Sequence, residues 1–150
     1  MISEGQILSF RNVVSKIYKV YSNEFDLAMD DMSELMEKYS LHANGPFFYS
    51  IISDFLNDPL IIEIFVPVKE SSIVNLEENE LEFKSYFLVD SLLMMRVDNE
   101  FEKRTVEAQM KMINYVEKNN MEIHSPFFTM LKEVENQLYI EVYLRALYKQ

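Results

Sequence analysis

A short string of residues recurs along this chain in the same order and at nearly the same spacing. Asn23-Glu24-Phe25 opens a helical stretch ending at Glu37-Lys38, followed by Pro46-Phe47-Phe48 and an apolar run carrying Ile62-Glu63. About 76 residues on, Asn99-Glu100-Phe101 is followed by Glu117-Lys118, Pro126-Phe127-Phe128 and Ile140-Glu141. A tandem duplication restricts the fold to two similar halves, with a pseudo-symmetric seam where a shared cleft can form. The spacing sets repeat 1 at 1–75 and repeat 2 at 76–150, joined by the polar stretch from Glu70 to Asn79. Half a chain of this length is a poor independent folding unit, so 1–150 is expected to fold as a single domain.

Each half reads strand–helix–strand–strand. Gln6 to Tyr21 and Leu81 to Val97 are rich in β-branched and aromatic residues and predict two long strands. Asn23 and Asn99 stand where helix N-caps are expected, with Asp26 and Glu102 three places on in the manner of a capping box. Helical spacing predicts buried stripes of Phe25, Ala28, Met32, Leu35, Met36 and Tyr39 in the first helix, and of Val106, Met110, Ile113 and Val116 in the second. The second helix should be four residues longer, close to one turn, which preserves its buried face. Pro46 and Pro126 forbid helix beyond the polar connections, and a hairpin follows in each half. The expected class is α+β: a duplicated strand–helix–strand–strand module, antiparallel sheet or sheets, and two long helices packed on one face.

Composition removes several function classes. A net charge of −11, from 25 acidic and 14 basic residues, repels a phosphate backbone, and no basic patch is present, so no nucleic acid is expected as partner. Apolar runs fall far short of the roughly 18 residues a membrane helix needs, and the opening Met1-Ile2-Ser3-Glu4-Gly5 lacks a signal peptide's basic head, so no membrane is expected either. Cysteine is absent, which removes disulfides and thiolate metal sites and fits a cytoplasmic protein. His42 and His124 sit in equivalent connections without enough partners for zinc, and two glycines supply no phosphate loop or framed nucleophile. Neither a metal nor a cofactor is expected.

Chemistry is carried by the outer faces of the last strand in each half. One presents Ile61, Glu63, Phe65 and Pro67, the other Tyr139, Glu141, Tyr143 and Arg145. A carboxylate flanked at i±2 by rings on one strand face is a receptor for a cationic aromatic ligand, since the rings stack and the carboxylate supplies charge. Glu141, Tyr139 and Tyr143 are the expected centre, with Glu63, Phe65, Tyr18 and Tyr86 as further contacts. An ordinary solvated sheet face, its glutamates paired with Arg145 or Lys69, is the plainer reading of the same pattern.

Gly45-Pro46-Phe47-Phe48-Tyr49, a short acidic turn, and Ile62-Glu63-Ile64-Phe65-Val66-Pro67-Val68 resemble the GyrI-like effector-binding domains. The resemblance in order of elements covers essentially the whole chain, although Leu144-Arg145-Ala146 stands where the second half would carry the proline-containing ending, and tryptophan is absent. It implies two strand–helix–strand–strand modules around an aromatic-lined small-molecule pocket, with Glu141 matching the family's last-strand glutamate. It further implies a drug- or metabolite-sensing protein, here without a DNA-binding domain. Two other classes remain open. One is a protein-interaction factor (inhibitor, adaptor, or accessory protein associated with type VII secretion) working through a protein partner, with aromatic-rich edges leaving room for a homodimer. The other is a small hydrolase using Glu63 or Glu141 as base, for which no second catalytic group can be named. The expectation is a non-enzymatic binder of a small molecule.

Overall fold

The computed structural model describes every residue, Met1–Gln150. Its architecture is α+β, a seven-stranded antiparallel sheet with two helices. In chain order the elements are β1 (Ser3–Val20), α1 (Phe25–Lys38), β2 (Phe48–Ile51), β3 (Leu60–Pro67), β4 (Glu82–Val97), α2 (Phe101–Lys118), β5 (Met121–Ile123), β6 (Phe127–Val134) and β7 (Gln137–Tyr148). The chain forms two compact units: a central unit, Ser9–Phe87, and a terminal unit made of Met1–Leu8 with Leu88–Gln150. The long strands β1 and β4 each contribute residues to both.

In the central unit β3 lies between β1 and β2, antiparallel to both. The alternation of β3 sends Ile62, Ile64 and Val66 to one side, where Val14, Val20, Ala28, Met32 and Leu35 complete a core beneath α1. The helical stripe read from the sequence is therefore the buried face of α1. Both long strands carry a residue in the left-handed region, Asn12 (φ 56°) and Ser91 (φ 55°). Just after each, two consecutive residues are buried, Val13-Val14 and Leu92-Leu93, so both faces of the strand are covered at these points.

In the terminal unit β7 pairs with β4, β5 and β6. The β6–β7 turn is Glu135-Asn136, with φ of 52° and 65°, the paired left-handed conformation that suits the twist of a two-residue hairpin. That turn fixes the β6 register residue by residue. α1 has 14 residues and α2 has 18, the one-turn difference expected from the sequence spacing.

Three sequence expectations are corrected. Neither helix is capped by its asparagine: Asn23 lies inside a 3-10 turn, Ser22–Glu24, and Glu100 in a left-handed conformation (φ 48°) precedes α2. The connection after α2 contains strand β5, too short to show a period of its own. Finally, α2 is rotated from its predicted stripe. It buries Ala108, Gln109, Met112 and Val116, while Val106 and Met110 are 38% and 43% exposed. Because β5 follows α2 after only Asn119 and Asn120, packing on β5 and β7 chooses the buried face.

Candidate functional site

Two carboxylate-bearing strand faces stand out, one in each unit. In the terminal unit, β7 alternation places Tyr139, Glu141 and Tyr143 on one side, as expected. Across the sheet, Glu141 faces Arg96 on β4 and Met130 on β6, Tyr143 faces Met94 and Phe128, and Tyr139 faces Lys132. Tyr143 is buried, and its hydroxyl donates to Glu141 Oε1 at 2.9 Å. Burial, reinforced by the adjacent Glu141 carboxylate, pushes the Tyr143 phenol well above its ordinary value. Lys132 Nζ lies 2.6 Å from the same Oε1, and the Arg96 guanidinium carbon lies 3.8 Å from the centre of the Tyr139 ring. Three of the predicted residues are thus brought together, and two basic residues absent from the expectation join them.

In the central unit, Glu63 accepts a hydrogen bond from Ser15 Oγ at 2.8 Å and faces Ser50 and Ile17 across the ladder. It lines a surface hollow of about 410 Å³ together with Lys16, Asn79, Glu80 and Glu82. Lys38, 2.6 Å away, with Glu77 and Tyr39, holds the Glu80 carboxyl down at about 2. Phe65, two residues on, shares the face of Glu63 but is buried, stacked on Phe48 at 4.9 Å between ring centres, with Phe87 at 5.1 Å. Phe48 also stacks on Phe10 at 5.3 Å. These rings fill one another's surroundings, so Phe65 supports the Glu63 strand rather than presenting an open wall.

Tyr18 is on the other face. Its neighbours in register, Ile62 and Ile64 beside it, belong to the core under α1, and its hydroxyl donates to Asp31 Oδ2 at 2.6 Å. Tyr18, expected as a further contact, therefore does not share the face of Glu63, because the odd and even residues of β1 point to opposite sides of the sheet. Tyr86 stands on β4 with about half its surface exposed. Lys132 was legible in principle, since a two-residue turn at Glu135-Asn136 dictates the pairing of Lys132 with Tyr139. Arg96 was not, because its place opposite Glu141 depends on pairing between strands about 45 residues apart.

Residues 9–148 match the family described as Domain of unknown function (DUF5085). The chain belongs to that family. No curated protein matches the sequence. Among solved structures, this DUF5085 protein resembles the crystal structure of the EcmrR C-terminal domain, with a TM-score of 0.66 and 13% identity over 97% of this chain and 99% of that one. It also resembles EcmrR in its cryo-EM complex with DNA, with a TM-score of 0.70 and 13% identity, covering 99% of this chain and 58% of the longer one. A third is SAV2435 bound to tetraphenylphosphonium, with a TM-score of 0.56 and 10% identity over 97% and 94%. At such identities the likeness is one of fold.

Proposed function

We propose that this DUF5085 protein is a non-enzymatic, GyrI-like binder of small aromatic cations. The observation that carries the reading is Glu141 between Tyr139 and Tyr143 on one strand face, in a fold shared with a protein solved with an aromatic cation bound. Glu141 supplies charge, buried Tyr143 holds that carboxylate in place, and the less buried Tyr139 ring supplies stacking and cation–π attraction, which suits ligands varied in shape but alike in charge. Glu63 in its acidic hollow offers a second carboxylate of the same kind. Both glutamates already serve as hydrogen-bond acceptors, Glu63 from Ser15 and Glu141 from Tyr143, an arrangement fitted to fixing a charge rather than to abstracting a proton.

Calorimetric titration of the full chain with tetraphenylphosphonium tests this. Saturable binding is expected, weakened about tenfold or more by Glu141→Gln, a loss in keeping with a partly buried charge contact. Glu63→Gln reports separately on the central unit. Absence of heat and of thermal stabilisation across a panel of aromatic cations sinks the reading.

A further inference from the structure

The receptor face of the terminal unit already holds cations of its own. Lys132 supplies an ammonium to Glu141 at 2.6 Å, and Arg96 covers the Tyr139 ring at 3.8 Å. An ion pair to the carboxylate and a cation over the ring are the two contacts that an aromatic cation would make with the same side chains. Strand register puts both there, Arg96 opposite Glu141 and Lys132 opposite Tyr139. The acceptor and the occupant differ in exposure: the Glu141 side chain is 12% exposed and that of Lys132 36%. The carboxylate is therefore sheltered and fixed, while the ammonium ends a flexible stem that can swing into water. Arg96 has a second partner as well, since its Nε donates to Asp98 Oδ1 at 2.6 Å. It can leave the ring without losing an ionic partner.

Building on the cation-binding reading, we infer that Lys132, assisted by Arg96, determines specificity by acting as an internal ligand that an incoming cation must displace. A tethered ammonium competes at a high effective concentration. A small hydrated cation offers Glu141 nothing that Lys132 does not, and it gives up more hydration to enter. A bulky cation with delocalised charge loses little hydration and adds apolar contact with Tyr139, so it can win the exchange. The ligand class narrows accordingly to lipophilic, charge-delocalised cations, with compact ammonium ions rejected.

The test compares tetraphenylphosphonium with tetramethylammonium on the full chain by calorimetry. Wild type binds the first and not measurably the second. Lys132→Met is expected to tighten tetraphenylphosphonium by about three- to tenfold, the scale of a partly exposed ion pair, and to make tetramethylammonium binding measurable. Lys132→Gln should behave alike, Lys132→Arg should keep the wild-type pattern, and adding Glu141→Gln to Lys132→Met should erase the gain. Unchanged or weaker binding of both cations by Lys132→Met and Lys132→Gln, or equal binding of both by wild type, overturns the inference and leaves the broader reading standing. Binding of neither cation by any form removes both.

Discussion

Tyr18 and Tyr143 meet the same pair of influences in different units. Tyr18 is partly buried and Tyr143 buried, and each donates to a carboxylate, Asp31 in one case and Glu141 in the other. Burial disfavours the phenolate first and the neighbouring negative charge disfavours it further, so both lie well above the ordinary 10.0. An unfolded chain ionises its phenols near that ordinary value, whereas the folded chain keeps these two protonated. Stability from them is present below pH 10.0 and is lost as pH rises beyond it. In an alkaline absorbance titration, Tyr18→Phe and Tyr143→Phe should each leave the phenolate signal around pH 10.0 unchanged. Loss of one tyrosine's worth of signal there would show an exposed ring. The sequence named both residues, but only burial and register separate a ring under α1 from a ring beside Glu141.

α2 is the element whose sequence and packing disagree most. Its apolar spacing favours a Val106–Met110 stripe, yet the fold buries Gln109, 2% exposed, and leaves its Nε2 without a hydrogen-bond partner. A buried unsatisfied donor costs about 1–3 kcal/mol. Gln109→Leu is therefore expected to stabilise the protein by about 1 kcal/mol in urea unfolding, since it removes that donor at similar volume. Met112→Ala should cost about 2–5 kcal/mol, because Met112 is fully buried against the sheet. Met110→Lys should move stability by no more than about 0.5 kcal/mol. A large loss for Met110→Lys and a small one for Met112→Ala would restore the stripe expected from periodicity. That periodicity is local, whereas the buried face was chosen by the non-local constraint of β5 and β7.

For the molecule as a whole, the net charge of −11 is managed by pairing particular carboxylates. Hydrogen bonding to Lys38, then to Glu77 and Tyr39, keeps Glu80 near 2, while Lys16 and Tyr18 lower Asp31 and His42 lowers Glu70. Depressed carboxylates stabilise the fold fully above their unfolded value, and that contribution disappears as pH falls through the folded one. The melting temperature should therefore drop as pH is lowered from 4.5 toward about 2, with a shallower drop in Glu80→Gln. Identical profiles for variant and wild type would show that the Lys38 pair does not act in solution.

At this same scale, the sequence by itself determined the α+β class, the order of the elements other than the short β5, the one-turn difference between helices and the faces that carry Glu63 and Glu141. Each of these follows from short-range periodicity, from proline and turn residues, or from spacing along the chain. The tertiary structure alone decided the rotation of α2, the burial of Phe65 against Phe48, the removal of Tyr18 to the face opposite Glu63 and the arrival of Arg96 at Glu141 and the Tyr139 ring. Those outcomes depend on which strands pair and in what register, and pairing is settled by the burial of both partners together, a quantity that no single segment contains.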